Sequence, residues 1–225
     1  IFNLLKEHAY FCFEIGYFKE VVKNNLFDTI YHEHFSYLSL TAAEAVLEAA
    51  GLTVFEVERL TTHGGSLRVY AQVAGGRGFP VARSVDLLRA EEAELGVRTS
   101  FFYSGFQSRV DLIRDQLRSF LIDARNEGRT VVGYGAAAKG NTLLNYAGVG
   151  PDLVRYVVDN NPAKQGHYLP GSHIPIVEEH RIAEDQPDFV LILPWNLRDE
   201  IKYRLESLGG WSGSMVTAIP KLIID

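Results

Sequence analysis

The chain of 225 residues carries a formal net charge of −6, and 47% of its residues are hydrophobic. This composition is typical of a globular protein, and the acidic balance argues against nucleic acid as the main partner. No apolar run approaches the roughly 20 residues of a membrane-spanning helix, so no membrane association is expected. The single cysteine, Cys12, excludes an internal disulfide bond and a cysteine-rich zinc site, and it favours a cytoplasmic location.

The chain begins at Ile1, and its one methionine is Met215. The opening residues lack the charged, apolar and small-residue zones of a signal peptide. We therefore expect the sequence to be a fragment of a longer protein.

The amino-terminal part of the pattern contains short strands and helices. Thr41 and Glu44 predict a capping box at the start of a helix, and Gly51 is placed to close that helix. The two strands that follow it are indicated by alternating apolar residues. The predicted elements are a strand over 9–15, helical turns over 17–23, an irregular stretch over 28–39, a helix over 41–50, and strands over 52–60 and 66–73.

The clearest break in the pattern is the segment Gly75-Gly76-Arg77-Gly78-Phe79-Pro80. Three glycines and a proline in so short a segment cannot hold a helix or a central strand. We place a linker there and divide the chain into residues 1–78 and 79–225. Two helices are expected after the linker, over 85–95 and about 100–126.

After Gly128 apolar strands alternate with helices. This order predicts an α/β domain with a parallel sheet covered on both faces. The predicted strands cover 130–133, 154–158, 189–193 and 214–219, and the predicted helices cover 139–147, 178–184 and 196–208.

Tyr31-His32-Glu33-His34 is the densest titratable group in the chain. A neutral imidazole can accept a proton near neutral pH, a carboxylate can orient it, and a tyrosine hydroxyl can donate to an oxyanion. These are the groups needed to remove a proton beside a carbonyl. The alternatives are a polar loop with one packed aromatic ring, or a zinc site built from the two histidines and Glu33.

The block His63-Gly64-Gly65-Ser66-Leu67-Arg68 leads into a predicted strand. The glycine pair is typical of a hairpin turn. It would equally allow a ligand to approach the backbone closely, with Ser66 and Arg68 on one face of the strand, because residues two apart share a face. The arginine fork can bind two phosphate oxygens. Both interpretations remain open.

Gly133-Tyr134-Gly135-Ala136-Ala137-Ala138 follows a strand, opens a helix and fits one form of the dinucleotide fingerprint. With Asp159 at the end of the next strand, it is compatible with a nicotinamide enzyme. However, Lys139, Asn141 and Thr142 lie in the first helical turn, where backbone amides attract anions. We therefore expect the loop to hold the diphosphate of a substrate.

The chain resembles the S-adenosylmethionine-dependent C-methyltransferases that act on nucleotide-linked keto-deoxysugars. The blocks that carry the resemblance are the Tyr31–His34 group with its flanks, the histidine–glycine block, the glycine loop, and two later segments. They cover 27–40, 63–69, 133–142, 158–166 and 170–176, so the resemblance extends over nearly the whole chain in the family's order.

The resemblance implies that the domain over 79–225 is the family's Rossmann-like, substrate-binding C-terminal domain. Residues 1–78 would be the C-terminal remnant of a class I methyltransferase domain. The family's zinc-binding domain and most of its S-adenosylmethionine site would lie before Ile1, so no metal is expected in this chain. By position, His34 would be the general base, with Tyr31 and Glu33 as its partners.

The resemblance also implies that the substrate is contacted by two groups of residues, namely His63, Gly64, Gly65, Ser66 and Arg68, and Gly133, Tyr134, Gly135, Lys139, Asn141, Thr142 and Asp159. The favoured function is C-methylation of a nucleotide-linked keto-deoxysugar, and the fragment alone is expected to be inactive. The alternatives are an NAD-dependent oxidoreductase and a non-catalytic nucleotide-sugar binding module.

Overall fold

The computed structural model describes residues 1–6, 8–75 and 78–225. It contains two units, one formed by Ile1–Asn24 with His34–Phe106 and the other by Asn25–Glu33 with Gln107–Asp225. Part of the predicted linker, Gly76 and Arg77, lies outside the described residues. The predicted division into 1–78 and 79–225 stays a prediction, and the two units divide the chain along a different line.

The first unit is built on an antiparallel sheet of β1 (Phe11–Gly16), β2 (Leu52–Leu60) and β3 (Ser66–Val73). Its order is β1-β3-β2, so β3 pairs with both neighbours. Apolar residues alternate along β2 and β3 and therefore project from one face. The alternating apolar residues of both strands are buried, namely Leu52, Val54, Val57, Leu67, Val69 and Ala71.

The helices of the first unit are α1 (Phe18–Lys23), α2 (Leu40–Ala49), α3 (Arg83–Glu94) and α4 (Ser100–Tyr103). Helices α2 and α3 pack on β2. Val85 and Leu88 of α3 belong to the same core as the sheet residues, and for that reason α3 belongs to this unit although it follows the predicted linker.

The predicted capping box at Thr41 is wrong. The N-cap of α2 is Ser39, whose hydroxyl oxygen accepts a hydrogen bond from the Ala42 amide at 3.1 Å. The Thr41 amide and hydroxyl both donate to the carboxylate of Glu92. A carboxylate from another helix thus takes the place of the local box.

The single helix predicted over 100–126 is two helices, α4 and α5 (Phe106–Asn126). Gly105, between them, has a φ of 74°, a left-handed conformation that interrupts a helix. Val110, Ile113, Leu117 and Leu121 lie on one face of α5 and are buried, whereas Phe120 beside them is half-buried.

The second unit contains a six-stranded sheet of mostly parallel strands in the order β6-β5-β4-β7-β8-β9. The strands β4 to β8 are parallel and β9 is antiparallel. The parallel sheet predicted from the alternating pattern and the Rossmann-like α/β fold implied by the resemblance are both confirmed. Its strands are β4 (Val131–Tyr134), β5 (Val157–Val158), β6 (Ile176–Val177), β7 (Phe189–Ile192), β8 (Ser214–Thr217) and β9 (Ile223–Ile224).

Three helices accompany this sheet besides α5, namely α6 (Ala138–Tyr146), α7 (Arg181–Asp185) and α8 (Arg198–Ser207). The chain leaves β4 toward β5 on one side and later reaches β7 on the other side. Such a reversal of strand order opens a crevice at the carboxyl ends of the strands, where α/β sheets bind ligands. Within the described residues, no helix is both long and apolar enough to cross a membrane.

Candidate functional site

The Tyr31–His34 segment follows a 3₁₀ turn, Phe27–Thr29, and has no regular structure of its own. The Tyr31 amide donates to the Thr29 carbonyl oxygen at 3.2 Å. Tyr31 and His34 are half-buried, whereas His32 and Glu33 are exposed. Tyr31 to Glu33 belong to the second unit and His34 to the first. The irregular conformation matches the sequence prediction, and the catalytic role stays a prediction.

Metal binding by this segment was the open alternative. In the part of the chain that the structure describes, no group of three or more His, Cys, Asp or Glu side chains is arranged to hold a metal ion.

The connection between the antiparallel strands β2 and β3 covers residues 61–65, so the first half of the histidine–glycine block lies in the turn and residues 66–68 lie in β3. His63 has a φ of 54° and Gly65 a φ of 137°. Both angles lie in the positive-φ region, which glycine adopts without strain. A Cβ atom at Gly65 would lie 2.9 Å from Cγ of Glu20. The hairpin interpretation is therefore confirmed, and contact with a ligand stays a prediction.

Arg68 lies between two carboxylates of the neighbouring strands. Its guanidinium is 3.1 Å from Oε2 of Glu58 and 3.4 Å from Oε2 of Glu14. The hydroxyl of Ser66, whose residue is buried, donates to the Thr62 carbonyl oxygen at 3.2 Å. The Arg68 guanidinium, which was expected to bind phosphate, is thus ion-paired with two glutamates on the exposed face of the sheet.

Gly133 within β4 and Gly135 in the loop after it are both required by close packing. A Cβ atom at Gly133 would lie 2.8 Å from Val157, and one at Gly135 would lie 2.7 Å from Pro194. Gly135 also has a φ of 86°. These glycines let the backbone pass between the ends of β5 and β7, as expected for the turn of a doubly wound sheet.

Asp159 is bound by its own surroundings. One carboxylate oxygen accepts hydrogen bonds from the Ala136 amide at 2.8 Å and from Nζ of Lys164 at 3.1 Å, and the other accepts from the Asn161 amide at 2.9 Å. Both oxygens that would bind a cofactor ribose are therefore engaged. Lys164, which lies five positions after Asp159, was not among the predicted site residues.

The start of α6 differs in detail from the expectation. Lys139 is buried, and its Nζ donates to Oδ1 of Asn196 at 2.7 Å. The side chain of Asn141 accepts from Asn145, and the hydroxyl of Thr142 donates to the Ala138 carbonyl oxygen. The N-cap residue is Ala137, which has no side-chain group that can cap the helix. The backbone amides of the first turn therefore have no side-chain cap.

A cavity of about 320 Å³ lies at the carboxyl ends of β4, β5 and β7. Its lining includes Gly135 and Ala137 of the loop, Asp159 and Lys164 after β5, and Leu197 and Arg204 after β7. Arg204 is 2.9 Å from a carboxylate oxygen of Glu179, which also accepts a hydrogen bond from the Tyr134 hydroxyl. Burial and the neighbouring carboxylate raise the pKa of Tyr134, so its hydroxyl stays protonated.

Residues 61–220 match the model of the C-methyltransferase C-terminal domain family. The chain belongs to this family. Over 218 residues it is also 38% identical to the C-methyltransferase NovU of Streptomyces niveus, in an alignment that covers 97% of this chain and 52% of NovU. The chain thus spans about half the length of this curated relative. The resemblance of the sequence to a C-methyltransferase with its C-terminal domain is confirmed.

The family match contains the glycine loop and the cavity, but sequence analysis did not identify a further buried group beside them. Asp28 is fully buried, and its Oδ2 accepts a hydrogen bond from Nε1 of Trp195 at 2.7 Å. Nζ of Lys139 lies 4.8 Å from the centre of the Trp195 ring. Burial raises the pKa of the Asp28 carboxyl from 3.8 to about 6, and it lowers the pKa of the Lys139 ammonium.

This shift predicts a pH dependence of stability for Asp28→Asn. The folded state holds the Asp28 proton more tightly than the unfolded state, so the wild-type protein loses stability as pH rises through about 4 to 6. The variant has no such titration. Its free energy of unfolding, relative to wild type, should increase across this window by up to about 3 kcal/mol.

Urea unfolding at about pH 3.5 and about pH 7 measures this difference. Asp199→Asn is the matched control, because the Asp199 side chain is 95% exposed. A difference for Asp28→Asn that stays constant with pH, or decreases as pH rises, would contradict the assignment.

Proposed function

We propose that the protein is part of an S-adenosylmethionine-dependent C-methyltransferase whose substrate is a nucleotide-linked keto-deoxysugar. The proposal is supported by membership of the C-methyltransferase C-terminal domain family and by the similarity to NovU. It is further supported by the Tyr31, Glu33 and His34 side chains, which are the types that proton removal beside a ketone requires.

In the proposed reaction His34 removes a proton from a sugar carbon next to the ketone. Tyr31 donates a hydrogen bond to the oxygen on which negative charge develops, and Glu33 stabilises the imidazolium. The resulting enolate carbon is a nucleophile, whereas the original C–H is not. When bound, S-adenosylmethionine supplies the electrophilic methyl group.

The described residues fit this methyl donor poorly. In the glycine loop, the Ala136 amide is bound by Asp159, and the space beside Gly133 and Gly135 is filled by Val157 and Pro194. Every step assigned to this chain therefore concerns the sugar and its proton.

The observation that carries the substrate proposal is the cavity at the reversal of strand order in the second unit. It lies beside the uncapped start of α6, where helix amides favour an anion. Its lining carries two cations, Lys164 and Arg204, and two carboxylates, Asp159 and Glu200. We propose that the diphosphate of the nucleotide sugar binds here. Lys139 contributes charge from inside the fold, because its ammonium is buried against Asn196.

The oxidoreductase alternative receives no support from the geometry, because both carboxylate oxygens of Asp159 are engaged by neighbouring groups. The binding-module alternative shares the nucleotide-sugar site but has no methyl transfer. An assay of methyl transfer therefore distinguishes it from the proposal.

Titration calorimetry with thymidine- and other nucleotide-linked keto sugars tests substrate binding by the chain. Lys164→Met should raise the Kd about tenfold or more, since it removes a charged hydrogen-bond donor worth roughly 1.5–3 kcal/mol. Lys202→Met is the control, because Lys202 is exposed on α8 away from the cavity lining. Equal Kd values for the two variants, or tighter binding of NAD than of any nucleotide sugar, would overturn the site.

The protein expressed from its complete reading frame should then transfer a labelled methyl group from S-adenosylmethionine to a carbon of the sugar that binds. Binding without any methyl transfer would favour the binding-module alternative.

A further inference from the structure

The segment 25–33, which carries Tyr31 and Glu33, belongs to the second unit and contacts the rest of that unit through its side chains. Nε of Arg109 donates to Oδ1 of Asn25 at 2.8 Å, and the rings of Phe27 and Tyr146 lie 5.2 Å apart. The 3₁₀ turn of this segment packs against α6. The residues before the proposed catalytic pair are thus anchored on α5 and α6.

Asp28 buries a carboxylate in this contact, which is energetically unfavourable. Its carboxylate is fully buried and accepts a side-chain hydrogen bond from Trp195, and the backbone amides of Asp28 and Thr29 also favour its charged form. Among the described residues, Oδ1 of Asp28 has no hydrogen-bond partner. A buried carboxylate with one oxygen left unpaired destabilises a fold relative to an apolar side chain of similar volume. Stability alone therefore does not account for an aspartate here.

Trp195 joins this carboxylate to the start of α6. Its indole N–H points to Asp28, and its ring faces the ammonium of Lys139 at 4.8 Å. Lys139 in turn donates to Asn196, the residue after Trp195. The tryptophan is therefore fixed in position and in ring orientation, and its N–H is a directional donor.

The link from Asp28 to Tyr31 is short and hydrogen-bonded. The Ile30 amide donates to the Phe27 carbonyl oxygen at 3.0 Å, and the Tyr31 amide donates to that of Thr29 at 3.2 Å. The Thr29 hydroxyl closes the turn by donating to the Leu26 carbonyl oxygen at 2.7 Å. A displacement of Asp28 would therefore be passed directly to Tyr31.

We propose that the Asp28–Trp195 hydrogen bond is a clamp that positions Tyr31 and Glu33 for proton removal. Asp28 and Trp195 are thereby positioning residues, since neither is assigned a contact with the sugar. The inference rests on the proposed function for its catalytic consequence. The directional bond fixes the turn at one position on α6, which an apolar contact would not do.

Trp195→Phe tests the clamp, because it removes the indole N–H and keeps an aromatic ring facing Lys139. Loss of positioning should lower kcat for methyl transfer about 10- to 100-fold, since a misplacement of about 1 Å has effects of this size. The KM for the nucleotide sugar should stay within about threefold. Trp211→Phe is the matched control, because it also removes an indole hydrogen bond, to the Pro187 carbonyl oxygen.

Asp28→Asn and Asp28→Ala provide a rescue pair. Asparagine keeps an oxygen that can accept from the indole, so most of kcat should remain, whereas alanine should match Trp195→Phe. Equal losses of kcat in the two variants, or a loss in Trp195→Phe no larger than that in Trp211→Phe, would overturn the proposal.

Amide hydrogen exchange at Tyr31 separates failure of the clamp from failure of the proposed function. The exchange rate should increase at least about tenfold in Trp195→Phe and stay unchanged in Trp211→Phe. If the wild-type protein transfers no methyl group, the proposed function fails, and this exchange rate still decides whether the clamp exists. An unchanged rate in Trp195→Phe would contradict it.

Discussion

His34→Asn is expected to lower kcat for methyl transfer about 10²- to 10⁴-fold while leaving the Kd of the nucleotide sugar within about twofold. A positioned general base contributes a factor of this size. Asparagine is close to histidine in size and polarity but cannot accept the proton. The loss should therefore appear in the chemical step rather than in binding. Single-turnover kinetics with labelled S-adenosylmethionine, combined with titration calorimetry, measures both quantities.

His32→Asn is the matched control for this variant. His32 lies two residues earlier in the same segment, is exposed, and has no role in the proposed reaction. Its kcat should stay close to the wild-type value. If His34→Asn kept full turnover, or if the two variants lost the same amount, His34 would not be the base.

Glu92→Ala is expected to reduce the free energy of unfolding by about 3–5 kcal/mol. Glu92 is 1% exposed, and its carboxylate accepts from the Tyr17 hydroxyl at 2.7 Å and from the Leu40 and Thr41 amides at 2.7 and 2.8 Å. Each buried donor left without a partner costs about 1–3 kcal/mol. The loss should therefore be felt at the start of α2 and in the core around Tyr17.

Thermal or urea unfolding of Glu92→Ala beside Glu94→Ala measures this effect, because Glu94 is exposed on the same helix. Glu92→Gln should be intermediate, since its amide keeps one acceptor oxygen. A change below about 1 kcal/mol for Glu92→Ala would show that these hydrogen bonds contribute little to stability.

The sequence predicted the elements whose cause is local. The bounds of β2 and β3 agree with the predicted ones, because alternating apolar residues must face one side of a sheet. The same reasoning missed the Ser39 cap, because the group that bonds Thr41 is Glu92, which lies 51 positions away. Such long-range partners leave no periodic signal.

In the candidate site, too, residues with a local sequence signal were predicted and those defined by distant partners were not. The glycine loop was predicted because strand, turn and helix are consecutive, and Asp159 because it ends the following strand. The Asp28–Trp195 bond joins residues 167 positions apart, and the spacing along the chain could not indicate it. Lys139 looked like a phosphate ligand from its place in the first turn, yet its ammonium is buried against Asn196 and Trp195.

The most direct test of the account is hydrogen exchange at the sugar itself. NMR spectroscopy follows the C–H groups beside the ketone of the bound nucleotide sugar in D₂O, with no methyl donor present. We predict that one of these carbons exchanges its proton for deuterium in the presence of the wild-type protein, and that His34→Asn abolishes this exchange while the sugar still binds. Bound sugar that keeps all its protons with the wild-type protein, or that exchanges equally well with His34→Asn, would contradict proton removal by this chain.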